Sequence, residues 1–170
     1  MSGANPVYLL DANVFIQAHQ RYYAFDLCPG FWECLLHHHN QSERIISIDR
    51  VRDEITGQDK IAQWVKGAPE GLFVSTRTAD IAAGFAAMMS WVDDSQQFTG
   101  EAKAEFAQVA DGWLAAYAKV HGCIVVTHEE YAADIKRKVK LPNVCRQFGV
   151  EYLDTFTMLR RLQARFSWTV

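Results

Sequence analysis

Short apolar runs alternate with longer amphipathic stretches along this 170-residue chain. Apolar runs of about four residues with polar residues at their ends are typical of buried strands. They occur at residues 7–10, 123–126 and 150–153, and two further short extended segments are predicted at 45–48 and 72–75. Buried strands that alternate with helices predict a parallel sheet covered by helices.

Capping residues and helix breakers mark the ends of the stretches between these strands. Thr78 and Asp154 are predicted N-caps, and Gly122 and Gly149 are predicted to end helices. The predicted helices, with their capping residues, cover 13–21, 29–40, 49–57, 59–67, 78–91, 101–121, 142–148 and 154–162. This order of elements predicts the α/β class: a three-layer α/β/α sandwich with a short, mainly parallel sheet, formed by residues 1–170 as a single domain.

Composition agrees with a globular protein, because 49% hydrophobic residues are enough for a packed core without disulfides or structural metals. The four cysteines are widely scattered, which predicts free thiols. The apolar runs are far shorter than the roughly 20 residues that a membrane-spanning helix needs, and the N-terminus lacks a signal-peptide pattern. We therefore expect a cytoplasmic protein with no membrane contact.

Charge is unevenly distributed, although the net charge is only −3. Residues 1–134 contain 9 Lys and Arg against 18 Asp and Glu, whereas residues 135–170 contain 8 against 2. Such a run is common on a solvated helix face, and it can equally hold phosphate groups. The part of it called here the basic stretch comprises Lys136, Arg137, Lys138, Lys140 and Arg146.

Acidic residues follow two of the predicted strands. Asp11 comes directly after 7–10, and Glu129 follows 123–126. Because ligands bind at the carboxyl ends of strands in an open parallel sheet, both carboxylates are expected at one functional edge. Either acid alone could instead serve as a helix N-cap.

A third acid, Asp111, lies within the predicted helix 101–121. Its neighbours at helical spacing are small or apolar: Ala107, Leu114, Ala115 and Ala118. A carboxylate on a core-facing stripe costs several kcal/mol unless a partner or a cation compensates it, so a ligand role is predicted, with a solvated rim position as the alternative. Glu54 shares a helix face with Val51 and Ile55, and Asp49 and Asp53 are rival acids.

Several carboxylates at one point repel each other and favour a hard cation such as Mg²⁺ or Mn²⁺ over zinc. Such a site activates water and neutralises phosphate oxygens during hydrolysis of a phosphodiester.

These residues resemble the PIN-domain family, in particular the VapC-like toxins of bacteria and archaea. Leu10-Asp11-Ala12-Asn13-Val14 is similar to the family's opening Asp-x-Asn segment, and Val126-Thr127-His128-Glu129 resembles its Thr-x-Asp segment. Glu54 and Asp111 fall where the family's second and third acids lie. By this resemblance the catalytic, metal-binding residues are Asp11, Glu54, Asp111 and Glu129. Glu129 departs from the usual aspartate, and the segment between Gly67 and Gly100 is longer than in the smallest members.

The resemblance implies a Mg²⁺- or Mn²⁺-dependent endoribonuclease that acts as the toxin of a toxin–antitoxin pair. It also implies an RNA substrate, a cognate antitoxin protein that covers the acidic cleft, and a homodimer. The residues expected to bind substrate or to position the carboxylates are Asn13, Thr127, His128, Arg137 and Lys138.

A PIN-like module that binds RNA or a protein without cutting remains the main alternative. A zinc site at His37, His38 and His39 with Cys28 and Cys34 is disfavoured, because adjacent helical residues splay by roughly 100 degrees. A phosphatase that uses Asp11 as nucleophile lacks its second aspartate, since asparagine stands at position 13.

Overall fold

A five-stranded parallel sheet forms the middle layer of the protein. The computed structural model describes residues 3–170, and its strands follow the order β3-β2-β1-β4-β5, so β1 lies at the centre. Every neighbouring pair of strands is parallel. The strands are β1 (Tyr8–Leu10), β2 (Ile45–Ile48), β3 (Phe73–Val74), β4 (Ile124–Val126) and β5 (Tyr152–Leu153).

Nine α-helices connect or flank these strands in the described part of the chain. They are α1 (Ala12–Gln17), α2 (Pro29–Ser42), α3 (Asp49–Glu54), α4 (Lys60–Lys66), α5 (Ala79–Asp94), α6 (Gly100–Gln108), α7 (Asp111–His121), α8 (Leu141–Gln147) and α9 (Thr155–Arg161). A π-helical turn, Ala18–Tyr22, continues α1. The predicted three-layer α/β/α arrangement is therefore confirmed. Within residues 3–170, no helix has the length and apolar character required to cross a membrane.

The central strands are buried on both faces, which explains their continuous apolar sequence. Residues Tyr8 to Leu10 are fully buried, and so are Val125 and Val126. A parallel sheet covered by helices on both sides requires such runs, because neither face meets water. The one polar residue of β2, Ser47, donates its hydroxyl to the carbonyl oxygen of Leu10 over 2.6 Å. This hydrogen bond lies at the end of β1, directly before Asp11.

The predicted helix 101–121 is wrong as a single helix. The structure divides it into α6 and α7, because Val109 adopts an extended conformation with φ −90° and ψ 167°. No glycine or proline lies at this break. The Ala110 N–H instead donates to Oε1 of Glu54 over 2.7 Å, a contact between residues far apart in sequence. Ala107 is exposed on α6 and does not share a helical stripe with Asp111.

Helix α7 packs closely against α5, and Gly112 makes this approach possible. A methyl group at Gly112 would lie 2.8 Å from a ring carbon of Phe85 and 3.1 Å from one of Phe106. The Phe85 ring cannot move aside freely, because it stacks on Trp113 with 4.0 Å between ring centroids.

We predict that Gly112→Ala destabilises the protein by about 1–3 kcal/mol through overpacking. The alanine's higher helix propensity, worth about 1 kcal/mol, offsets the clash only in part. Thermal or urea unfolding measures the effect. Gly100→Ala is the matched control, because a methyl group there meets no atom within 4 Å. Equal stability of the two variants would contradict the packing argument.

Candidate active site

The carboxyl-terminal edge of the sheet brings Asp11 and Thr127 together. Asp11 follows β1 directly, and its N–H donates to the carbonyl oxygen of Val126 over 3.0 Å. The Thr127 hydroxyl donates to Oδ2 of Asp11 over 3.1 Å. Both side chains are buried, with 4% and 2% of their surface exposed. The edge formed by Asp11, Thr127, Asp111, Glu54 and Glu129 is called here the carboxylate edge.

Glu54 and Asp111 reach this edge from α3 and α7. Glu54 is the last residue of α3, and Asp111 is the first of α7. Oε1 of Glu54 accepts the hydrogen bond from Ala110, so the second predicted acid orients the helix that carries the third. Negative charge near a helix N-terminus is favourable, because the unpaired N–H groups there carry partial positive charge.

Glu129 also lies at the carboxylate edge, but its carboxylate already has protein partners. Oε1 of Glu129 contacts Nζ of Lys138 at 2.5 Å, and Oε2 accepts a hydrogen bond from the Leu141 N–H over 3.1 Å. The Glu129 N–H donates to the Thr127 hydroxyl over 3.1 Å. Although burial disfavours the Lys138 ammonium, the hydrogen bond and charge of Glu129 raise the pKa of Lys138.

Burial, and then repulsion by neighbouring acids, raises the pKa values of two acids at this edge. Burial, followed by the charge of Glu129, raises the pKa of Asp11 to about 6, although the Thr127 hydrogen bond lowers it. Burial, followed by the charges of Asp11 and Glu129, raises the pKa of Asp111 to about 8, and Lys138 opposes this rise. Glu54 adds to the repulsion at both residues. The charges of Glu54 and Glu129 therefore reach both Asp11 and Asp111 at one edge of the molecule.

Among residues 3–170, no three Asp, Glu, His or Cys side chains are close enough to enclose a metal ion as they stand. The carboxylate donor set nevertheless matches hard divalent cations. Mg²⁺ commonly retains several waters and uses one or two carboxylates together with phosphate oxygens. The carboxylates of Asp11 and Asp111 are therefore of the donor type that such a cation takes, and it requires no closed protein cage.

The rival acids near Glu54 have other contacts. The carboxylate of Asp49 accepts hydrogen bonds from both the hydroxyl and the N–H of Thr76, over 2.8 and 3.2 Å. It also accepts one from the Arg50 N–H. Asp53 lies at the surface beside Arg52, with 3.3 Å between charged atoms. Of these three acids, Glu54 is the one that accepts a hydrogen bond from the segment before Asp111.

The remaining predicted residues differ in their placement. Asn13 is half-buried in the first turn of α1, and Arg137 is exposed. Nε2 of His128 shares a hydrogen bond with the Thr155 hydroxyl over 3.0 Å. Burial lowers the pKa of His128, and Asp154 opposes this shift.

Arg50 is a residue of the site region that sequence reasoning missed. Its guanidinium carbon lies 3.7 Å from the centre of the Trp113 ring, which stacks in turn on Phe85. Nε of Arg50 donates to the Thr76 hydroxyl over 3.0 Å. The contact with Trp113 joins α3 to α7, the two helices that carry Glu54 and Asp111. No local pattern signals a contact between an arginine and a tryptophan so far apart in sequence.

In the part of the chain that the structure describes, the histidines and cysteines of the zinc alternative do not form a cluster that could hold a metal ion. His39 is buried, and its Nδ1 shares a hydrogen bond with the Ile45 carbonyl oxygen over 3.0 Å. His37 is exposed, so the adjacent histidines point in different directions. All four cysteines are free in the structure.

A family model described as a domain of unknown function, DUF4411, matches residues 8–166. The chain belongs to this family. No curated protein sequence matches it. Its fold is similar to the structure of VapBC-1 from nontypeable Haemophilus influenzae, with a TM-score of 0.54, 13% identity and coverage of 87% of this chain and 97% of that chain. The expected resemblance to VapC-like PIN domains is thus confirmed at the level of the fold.

A second structure, FitAcB from Neisseria gonorrhoeae, has a TM-score of 0.48 and 18% identity, over 86% of this chain and 96% of that chain.

The raised carboxyl pKa values predict that the metal-free protein loses stability as pH rises. Near pH 6, folded Asp11 and Asp111 retain protons that the unfolded chain has released, since the ordinary value is 3.8. The free energy of unfolding should therefore fall between about pH 4 and pH 8, by at most about 1.4 kcal/mol per pH unit for each proton.

Urea unfolding in a metal chelator across this pH range measures the effect. Asp111→Asn should flatten the curve between about pH 6 and pH 8, because the amide cannot ionise. Asp53→Asn, which removes an exposed carboxylate, should leave the curve unchanged. A wild-type protein whose stability rises steadily over the range would show that the acids do not repel each other in this way.

Proposed function

We propose that the protein is a divalent-metal-dependent endoribonuclease that hydrolyses RNA phosphodiester bonds at the carboxylate edge. The supporting observation is the burial of Asp11 beside Asp111, with the pKa of each carboxyl raised by burial and by neighbouring acids. Like charges held together away from water are unfavourable. In a module that only binds negatively charged RNA, such a cluster of carboxylates would also repel the ligand. A divalent cation that binds both these carboxylates and a phosphate would account for the arrangement.

Asp11 and Asp111 would hold Mg²⁺ or Mn²⁺, and Glu54 would contribute through its remaining oxygen or through a bound water. When bound, the cation would supply an activated water and neutralise charge on the scissile phosphate. Thr127 fixes the orientation of the Asp11 carboxylate through its hydroxyl. Asn13, two residues after Asp11, is proposed to position substrate or carboxylate in the first turn of α1.

Glu129 is predicted to be the fourth metal ligand. We propose that it also positions Lys138. Both carboxylate oxygens of Glu129 have protein partners, Lys138 and the Leu141 N–H. The Lys138 side chain is 45% exposed, so its ammonium can also face a phosphate oxygen. Its charge then lies beside the reacting group, where it favours the developing negative charge.

The RNA backbone is proposed to follow the basic stretch next to the carboxylate edge. Lys136 and Arg137 are exposed, and the next residue, Lys138, contacts Glu129 of that edge. Contacts from such residues to phosphates position a strand without reading its sequence. An unpaired or looped strand fits best, since unstacked bases leave the backbone accessible to the edge.

The biological setting is proposed from two likenesses. The sequence resembles VapC-like toxins, and the fold is similar to VapBC-1. Both support a toxin with a cognate antitoxin that covers the carboxylate edge, and a homodimeric assembly. A cytoplasmic location stays a prediction.

A PIN-like module that binds without cutting is the second candidate. The observation in its favour is that the described acids do not by themselves enclose an ion, while Glu129 is paired with Lys138. Cleavage assays separate the two candidates directly.

We predict that purified protein cleaves single-stranded RNA in Mn²⁺ and that a chelator abolishes cleavage. Asp11→Asn and Asp111→Asn should each reduce the rate at least about 100-fold, since changes to residues that merely support a metal ligand already cost 10–100-fold. Asp53→Asn, an exposed acid on the same helix as Glu54, should retain the wild-type rate. Cleavage shared equally by all four proteins would identify a contaminating nuclease and remove the proposed activity.

Thr127→Val tests the support given to Asp11. The valine keeps the shape but loses the hydroxyl, so Mn²⁺ affinity should fall about 10–100-fold. Thr127→Ser should restore most of the affinity, because its hydroxyl can reach the same oxygen. The Mn²⁺-induced rise in melting temperature reports affinity without any need for activity. Similar values for the valine and serine variants would rule out this role for the hydroxyl.

A further inference from the structure

A cleft of about 490 Å³ opens next to the carboxylate edge. Thr127 and Glu129 line one side of it, so it shares two residues with that edge. Tyr22, His128 and Phe156 line another side. The space formed by these five residues and their neighbours is called here the aromatic cleft. Its volume lies within the usual range for small-molecule sites, roughly 300–1,000 Å³.

The three rings of the aromatic cleft form one cluster. The centroid of Tyr22 lies 5.3 Å from that of Phe156 in an edge-to-face arrangement and 5.8 Å from that of His128. His128 and Phe156 are also 5.8 Å apart. The Thr155 hydroxyl, itself buried, fixes the His128 ring through its hydrogen bond. Tyr22 is 48% exposed, so an aromatic surface faces solvent beside the site.

The charges around the aromatic cleft indicate which part of an RNA could enter it. Glu129, Glu130 and Asp154 line it. A phosphate would be repelled by these carboxylates, whereas an uncharged planar ring would not. Carboxylates can also accept hydrogen bonds from the amino groups of a base. Stacking between a base and an aromatic side chain contributes about 5- to 100-fold in affinity and tolerates any sequence.

We propose that the aromatic cleft binds one unpaired base of a single-stranded RNA, next to the phosphate that lies at the carboxylate edge. This inference rests on the proposed function, because it takes RNA as the substrate. The segment Thr127 to Glu129 joins the two sites, since Thr127 holds Asp11 while His128 forms part of the ring cluster. A base held in the cleft would fix the adjacent phosphate at the carboxylate edge.

Binding of very short labelled RNAs in a metal chelator tests the proposal without cleavage. One set carries an abasic site at each position in turn, and the strands are short enough to bind in a single register. Removing one particular base should weaken binding to the wild type about 5- to 100-fold. Tyr22→Leu and Phe156→Leu should weaken binding of the intact RNA and make it insensitive to that same abasic change.

Tyr117→Leu is the matched control, because this half-buried tyrosine lines a different pocket together with Cys123, at the opposite end of β4. It should bind like the wild type and keep the full effect of the abasic site. Circular dichroism establishes that each variant is folded, and the abasic series on the wild type needs no variant.

Equal losses from the abasic site in the wild type and in the two cleft variants would overturn the proposal. A wild-type protein that binds no RNA would also overturn the proposal, and the cleft would then be a candidate site for a protein partner. The same holds if the wild type binds a free nucleoside as tightly as the RNA. If the protein cleaves RNA in Mn²⁺ but the cleft variants bind RNA like the wild type, only the proposed base site is rejected. If the cleft variants lose the effect of the abasic site but no protein cleaves RNA, only the proposed nuclease activity is rejected.

Discussion

Repulsion among the carboxyl groups of the carboxylate edge, where Asp11 is buried and Asp111 half-buried, is the constraint that shapes this protein. Asp11 follows the central strand and Asp111 begins α7. The charge of Asp11 raises the pKa of Asp111, and burial together with the charge of Glu129 raises the pKa of Asp11. Thr127 anchors Asp11 from the neighbouring strand, and Glu54 orients α7. The local cost of the site is therefore offset by contacts between elements that are distant in sequence.

The rest of the fold supplies the rigidity that this arrangement requires. The central strands are buried on both faces, so their register cannot shift without exposing apolar side chains. Helix α7 is held against α5 through the close approach at Gly112 and against α3 through the stack of Arg50 on Trp113. The stability of the core offsets the unfavourable charges at the carboxylate edge. Such a trade-off is common where function requires an unfavourable arrangement of charges.

The sequence predicted what depends on local pattern and missed what depends on tertiary contact. Apolar runs identified the strands, and Asp11 and Thr127 could be placed because strand ends share an edge in a parallel sheet. The break before Asp111 was not predictable, since it is stabilised by Glu54 rather than by a glycine or proline. The partnership of Glu129 with Lys138 was missed for a similar reason, because an irregular segment brings the two together.

The charge count of residues 135–170 overstates how strongly the protein can attract an RNA backbone. Several of its cations already have protein partners: Lys138 contacts Glu129, Lys140 donates to the Glu130 carbonyl oxygen, Arg146 lies over the Tyr131 ring, and Arg161 pairs with Glu151. Lys136 and Arg137 are exposed. With few cations available and acids nearby, phosphate attraction alone gives weak, salt-sensitive binding. Contacts with a base would then carry a larger share of the affinity, which is what the aromatic cleft is placed to provide.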